Sequence, residues 1–215
     1  MQNDVIRKNI LFQELPEDEL EYALRFFSAV RKKHGKGDFL NTIGEPLRAF
    51  GLVLDGTVQV YMDDIDGNEM IMANVGVGET FGESLCFLEK ETSIYIRAVT
   101  DCEILWLSPS KIHETDEKSR LDTVLAARFT SLLANRTLNM NNRIQILSKI
   151  TLRKKLTAFF SEYVQTYGQE FTVPLSRNDL AVYLGAERSA LSRELSKMQK
   201  EGIIEFHRNH FRILK

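Results

Sequence analysis

One stretch near the C-terminus limits the possible folds more than any other: Leu175-Ser-Arg-Asn-Asp-Leu-Ala-Val-Tyr-Leu-Gly185-Ala-Glu-Arg-Ser-Ala-Leu-Ser-Arg-Glu-Leu195. It reads as helix, tight turn, helix. Ser176 is placed to cap the first helix, and Asp179 lies in its first turn, where a carboxylate favours the helix dipole. Leu180, Ala181 and Leu184 give that helix an apolar stripe, and Gly185 supplies the left-handed or tight backbone position that ends it. The second helix opens near Glu187. Leu191, Leu195 and Met198 recur at helical spacing towards the first helix, while Arg188, Ser189, Ser192, Arg193 and Ser196 share the opposite side.

That polar side suits the reading of DNA. An arginine can donate two parallel hydrogen bonds to guanine, each good pair giving roughly 1–3 kcal/mol of discrimination. Serine is short enough to let a helix sink into the major groove, and its hydroxyl can bond a base or a phosphate. Ser176 and Arg177, at the start of the first helix, join Arg188, Ser189, Ser192 and Arg193 as expected DNA contacts. A solvated surface helix carrying the same arginines is the plainer alternative. The capped partner helix, the glycine turn and the flanking β segments favour DNA. Phe171-Thr-Val-Pro-Leu175 precedes the helices as a short β segment, and Ile203–Phe206 with Phe211–Leu214 read as a hairpin around Arg208-Asn209. Strand, helix-turn-helix and hairpin together outline a winged helix. His207 and His210 lie beside the hairpin tip without the cysteine or carboxylate pattern of a metal site.

The N-terminal part has a different texture. A helix is expected over Glu17–Ala29, with Leu20, Leu24 and Phe27 on one face. Glycines then recur at positions 35, 37, 44, 51, 56, 67, 76, 78 and 82. Alternating runs lie between them, Phe50–Leu54, Thr57–Met62, Met70–Ala73 and Glu103–Leu107, with Asp55-Gly56 and Asp66-Gly67 as turn formers. Short strands joined by glycine turns imply an antiparallel roll or barrel. A metal-dependent barrel enzyme would place histidines within the strands, whereas His34 and His113 flank the glycine-rich core. No enzyme is expected. Glu83 and Ser84 are adjacent, but no histidine or lysine stands near to activate the serine.

From about Glu117 to Lys149 the chain has neither proline nor glycine, and Leu121, Leu125, Phe129, Leu132, Leu133, Met140, Ile144 and Leu147 recur on a long helix. Asn135, Asn139 and Asn142 interrupt the stripe. A helix of this length predicts a parallel pairing of two subunits through Leu125, Phe129, Leu132, Leu133, Met140 and Ile144. Burial against the chain's own roll accounts for part of the stripe. A two-fold dimer would set two reading helices roughly 34–36 Å apart, one helical turn of DNA.

The expected architecture is therefore α+β: an N-terminal antiparallel β-roll, a long dimerisation helix and a C-terminal winged helix-turn-helix. The expected boundaries are 1–116 for the roll, 117–150 for the helix and hinge, and 151–215 for the DNA-binding part. Residues 151–215 hold 11 Lys and Arg against 7 Asp and Glu, and the rest of the chain 17 against 23, a mild polarity that favours phosphate at one end. No apolar run approaches the roughly 20 residues of a membrane span, so no membrane partner is expected. The polar start, Met1-Gln-Asn-Asp, lacks a signal-peptide core. Two well-separated cysteines, Cys86 and Cys102, point to core thiols in a reducing, cytoplasmic setting. They also fall short of the four ligands an iron–sulfur cluster usually takes.

In this order of parts, the chain resembles the cAMP receptor protein/fumarate-nitrate regulator family of bacterial transcription factors. The resemblance spans essentially the full length and is carried by Gly82-Glu83, by Arg97-Ala-Val-Thr-Asp-Cys-Glu-Ile104 and by Gly185 to Leu195. It implies a roll that binds a small effector, a dimer formed by the long helix, a palindromic DNA site and RNA polymerase as a further partner. Arg188, Ser189 and Arg193 match the family's base-contacting positions. The cAMP-binding member has glutamate in place of Ser189, which implies a different half-site.

The resemblance also brings a departure. The cyclic-nucleotide members hold the ligand with Gly-Glu and, further on, an arginine followed by serine or threonine; here Gly82, Glu83 and Ser84 are followed by Thr92-Ser93. A buried phosphate without its cation carries a penalty of order several kcal/mol. The positions that touch adenine align with Leu138 and Asn139, a second mismatch, so cAMP is not expected as the effector. A haem would need an axial histidine or an equivalent ligand near the long helix; no histidine lies there, and methionine or the N-terminus stays open as the ligand. A neutral or apolar effector remains, or none, with Tyr61, Met62, Met70, Met72 and Phe81 either lining a pliable cavity or filling the core. An effector touching the roll and the long helix would shift the helix pair and reorient the winged helices about a hinge at Lys149-Ile-Thr151. The second functional reading is a small-molecule-binding module whose C-terminal part contacts a protein.

Overall fold

The computed structural model describes residues 2–63, 65, 69–114, 119–173 and 175–214. The expected turn at Asp66-Gly67 and the expected helix start at Glu117 lie outside the described residues. The chain divides into two compact units, Met1–Asn135 and Arg136–Lys215, so the division falls inside the long helix and not at its ends.

The first unit opens with α1 (Gln2–Ile6) and α2 (Glu17–Phe26). Helix α2 stops short of Ala29 because Ser28 enters the left-handed region at φ 46°. Ser28 N–H then bonds Arg25 O and Ala29 N–H bonds Leu24 O, which closes the helix with its last carbonyls paired. Seven strands follow: β1 (Val30–His34), β2 (Phe50–Asp55), β3 (Val58–Asp63), β4 (Glu69–Val75), β5 (Thr80–Phe81), β6 (Tyr95–Ala98) and β7 (Cys102–Leu107). They form two antiparallel sheets, ordered β1-β7-β2-β5 and β4-β3-β6. Short helices α3 (Glu83–Phe87) and α4 (Ser110–His113) complete the roll.

Strand β1 was not expected from its sequence. Val-Arg-Lys-Lys-His reads as a solvated charge run, yet it pairs along its whole length with β7, from Val30 opposite Trp106 to His34 opposite Cys102. An edge strand guarded by lysines has this composition, because the charges deter a further strand from adding. His34 thus lies within a strand and does not merely flank the glycine-rich core. Among the described residues no group of three or more His, Cys, Asp or Glu is placed to hold a metal ion.

Helix α5 (Arg120–Leu147) ends before Lys149. Its N-terminal part belongs to the first unit's core, where Phe129 meets the rings of Phe27, Phe50 and Phe87 at centroid distances of 6.3, 5.5 and 5.3 Å. Leu125 and Phe129 are fully buried there, and Leu132 and Leu133 pack against the same cluster. Leu125 and Phe129, expected on a subunit seam, are therefore already covered by their own chain.

The second unit continues with α6 (Leu152–Tyr167), capped by the Thr151 hydroxyl, then β8 (Glu170–Thr172), α7 (Arg177–Tyr183), α8 (Arg188–Lys200), β9 (Ile204–His207) and β10 (His210–Ile213). The three strands form one antiparallel sheet, β8-β10-β9. Its core joins Phe159, Phe160, Phe171 and Phe211 with Leu180, Leu191, Leu195 and Met198. Among the described residues no helix is long and apolar enough to cross a membrane.

Cys86 and Cys102 are free and buried. Burial first, then the Glu89 carboxylate, pushes the Cys86 thiol up to about 12. A thiol that stays protonated at neutral pH is a poor nucleophile. A maleimide reagent at pH 7 is expected to leave Cys86 unmodified in the folded protein and to label it readily in denaturant, as read by mass spectrometry.

Candidate functional site

The helix-turn-helix is built from short-range signals. Ser176 Oγ accepts from Asp179 N–H at 3.2 Å and donates to the Asp179 carboxylate at 2.6 Å, a reciprocal N-cap. At the other end of α7, Gly185 takes φ 58°, which a side chain would strain. Gly185 N–H bonds Val182 O and Ala186 N–H bonds Ala181 O, while Lys155 Nζ donates to Leu184 O at 3.0 Å.

Helix α8 begins after Glu187 and turns Leu191, Leu195 and Met198 into the core. Arg188, Ser189, Ser192, Arg193 and Ser196 are all exposed on its other side. The back of α8 is fastened to α6 by Arg153, whose Nε donates to Glu194 at 2.5 Å and whose Nη1 donates to Glu201 at 2.6 Å. That guanidinium holds the Glu201 carboxyl below the usual carboxylate range. The two anchors leave the Arg188–Arg193 face clear of intramolecular ion pairs among the described residues.

The remaining expected contacts sit differently. The Ser176 hydroxyl is engaged in its cap. The Arg177 Nη2 donates to the carbonyl of Arg208 at 2.6 Å, in the turn of the β9–β10 hairpin. Its guanidinium carbon lies 5.2 Å from the Phe206 ring centroid and 5.6 Å from that of Phe211. Burial, and secondarily the positive charge of Arg188, lower the Arg177 pKa from its ordinary value.

In the roll, the residues aligned with a cyclic-nucleotide cassette are taken up by the protein itself. Gly82 caps α3 at φ 83°, where a Cβ would also overlap the Leu47 side chain. Glu83 is buried and accepts from the Thr80 hydroxyl. Thr92 is buried as well: its Oγ1 donates to Thr42 O at 2.9 Å and accepts from Asn41 Nδ2 at 3.0 Å. Asn41 also donates to Ile94 O and accepts from Ile96 N–H, both at 2.8 Å. Ser84 and Ser93 are exposed, and so are Leu138 and Asn139 on α5. Thr92 brings no cation and has both hydroxyl functions satisfied.

Tyr61, Met62, Met70, Met72 and Phe81 do not form one cavity. Phe81 is buried edge-on to Trp106 at 5.5 Å, Tyr61 stacks on Tyr95 at 5.0 Å, and Met70 and Met72 are exposed. A concavity of about 400 Å3 in this unit is lined instead by Val30, Lys32, His34, Phe39, Leu47 and Trp106 among others. Trp106 Nε1 donates to His34 Nε2 at 3.3 Å, and burial lowers the imidazole pKa from its ordinary value. The signal was the alternation of Val30, Lys32 and His34, hidden by the charge of the run.

A roll with a cyclic-nucleotide-type topology joined to a winged helix-turn-helix defines a transcription regulator. Residues 31–119 match the cyclic nucleotide-binding domain family, and residues 138–215 match the Crp-like helix-turn-helix domain family. The cyclic AMP receptor protein of Thermus thermophilus is 29% identical over 195 residues, covering 90% of this chain and 87% of that protein. Electron transport regulator A of Shewanella oneidensis is 28% identical over 183 residues, covering 81% of this chain and 71% of that one. Among solved structures, the c-di-GMP-responsive global regulator CLP of Xanthomonas campestris shares the fold, with a TM-score of 0.63 at 19% identity over 93% of this chain and 100% of its own. The chain belongs to the cAMP receptor protein/fumarate-nitrate regulator family of bacterial transcription regulators, which are not enzymes. Regulators of this family bind DNA through the helix-turn-helix and function as dimers.

Proposed function

We propose that this chain is a homodimeric, sequence-specific regulator that reads a palindromic DNA site with α8 and takes a small effector other than cAMP, or none. The observation that carries the reading is the face of Arg188, Ser189, Ser192 and Arg193, exposed together on a helix whose back is buried and clamped. Such a face meets base edges without any rearrangement of its own core.

The dimer seam proposed here differs from the apolar stripe read in the sequence. Leu125 and Phe129 are covered by the roll, whereas Met140 and Ile144, further along the helix, are exposed. On the other side of α5, Val124, Ala127, Ser131, Ala134 and Leu138 recur at alternating spacings of three and four residues, and all are exposed. That is the period of a two-stranded coiled coil, and the small residues allow close approach. RNA polymerase is the expected protein partner, in the cytoplasm where transcription occurs.

The exclusion of cAMP rests on Glu83 and Thr92. Both have protein partners, and the position of the phosphate-binding arginine holds a threonine. That CLP responds to c-di-GMP supports effectors other than cAMP on this fold.

In vitro site selection from a random DNA library, without added ligand, tests the main reading. A two-fold palindrome with half-sites about one helical turn apart is the expected product. Enrichment of no sequence, either alone or with metabolite extract, would sink it. Calorimetry with cAMP is expected to give no saturable heat; a micromolar dissociation constant would overturn the effector assignment.

A further inference from the structure

Arg177 begins α7, where an arginine would ordinarily reach a DNA phosphate. Its surroundings give it other work. The guanidinium lies near two aromatic rings of the hairpin, Phe206 and Phe211, and its Nη2 donates to the backbone of the hairpin's own turn at Arg208 O. To reach a phosphate it would have to leave both rings and orphan that carbonyl.

The turn needs such support. Arg208 occupies the left-handed region at φ 53°, which a β-carbon disfavours. A cleft of about 550 Å3 beside the turn is lined by Ser176, Arg177, Leu180, Arg208, Asn209 and Phe211 among others, so Arg177 borders open space between the turn and α7. On its other side the turn is tied to the chain just after β8: Val173 N–H donates to Asn209 O at 2.8 Å, and Asn209 Nδ2 donates to Val173 O at 3.0 Å. The Arg208 side chain is exposed at the tip.

We propose that Arg177 is a positioning residue that braces the hairpin turn against the helix-turn-helix, so that Arg208 is held ready to contact the DNA backbone while Arg177 itself contacts none. The inference rests on the DNA-binding reading for its consequence, though not for its geometry. The hairpin and α8 then meet DNA as one preorganised surface, without an ordering cost on binding.

Two measurements on the full-length protein test it. The first needs no DNA. Amide hydrogen exchange at Val173 is expected to quicken about tenfold or more in Arg177→Ala and Arg177→Lys, and to stay unchanged in Arg208→Ala, with α8 amides protected throughout. Unchanged exchange at Val173 in Arg177→Ala overturns the brace, whether or not the protein binds DNA.

The second is the salt dependence of affinity for the selected site. Arg208→Ala should reduce the slope by about one phosphate contact per subunit, and Arg177→Ala should reduce it by the same amount. The double variant should lose no more than Arg208→Ala alone. Additive losses would show that Arg177 holds its own phosphate, and rescue by Arg177→Lys would show that charge alone suffices. Either result overturns the assignment. If the wild type selects no DNA site, the DNA-binding reading fails, and the exchange result still decides the brace.

Discussion

Replacing Arg188 by alanine should weaken binding to the selected palindrome by a factor of roughly 30 to 10⁴ while leaving the fold intact. A well-placed arginine–guanine pair gives roughly 1–3 kcal/mol of discrimination, and a two-fold dimer loses it in both half-sites. The fold should not respond, because Arg188 is exposed at the first position of α8 and the helix is held from behind by Leu191, Leu195 and Met198. Arg193→Ala should behave alike, one turn further along. Arg188→Lys should fall short of rescue, since an ammonium cannot reproduce the planar two-bond fork. The variant should also relax preference at a single base position in each half-site, whereas loss of a phosphate contact weakens all sequences together. Quantitative binding to the selected site and to single-base variants checks this. A loss shared equally by every sequence would place Arg188 on the backbone and sink the base-reading role.

Gly51→Ala should destabilise the roll by about 3 kcal/mol, at the upper end of the cost of overpacking. The residue sits in β2 opposite Phe81 of β5 and Trp106 of β7, and an added Cβ would overlap the Phe81 ring. Phe81 cannot step aside freely, being buried and edge-on to Trp106. The backbone φ at Gly51 is not in the left-handed region, so the penalty is steric and has a specific remedy. Shrinking the opposing ring by Phe81→Leu should recover part of the loss. Gly56→Ala, by contrast, meets the carbonyl of Asp101 and the Cβ of Cys102 at φ 83°, and no single side-chain truncation should rescue it. The chain has one tryptophan, Trp106, beside Phe81, so urea unfolding followed by its fluorescence reports on this region directly. Additive losses in Gly51→Ala/Phe81→Leu would refute the steric account.

The winged helix was readable from residues because its signals act over a few positions. The Ser176–Asp179 cap, the left-handed Gly185 and the two-residue turn at Arg208-Asn209 each bind backbone groups that are near in sequence. The apolar periods of α7 and α8 then fix which sides face inward. In the roll, glycine turns and alternation marked β2, β3, β4 and β7. They missed β1, because a strand paired on one edge can be almost wholly charged. The end of α2 was misplaced for a related reason: Ser28 adopts a conformation that composition associates with glycine or asparagine.

The sites were less transparent. Leu125 and Phe129 have the spacing of a subunit seam and of a core equally, and periodicity cannot say which surface arrives to cover them. Glu83 could be recognised as half of a nucleotide cassette, and its pairing with Thr80 is local, three residues away; the union of Thr92 with Asn41 joins side chains across the folded roll. The place of Arg177 in α7 predicts a DNA contact, and its hydrogen-bond partner, 31 residues away in the hairpin, shows only in the folded chain. Local order thus followed from the chain alone, through caps, turns and the periods of helix and strand, which depend on near neighbours and backbone sterics. Which faces are free, and which polar groups remain to meet a ligand, was decided only when distant segments packed and spent each other's hydrogen bonds.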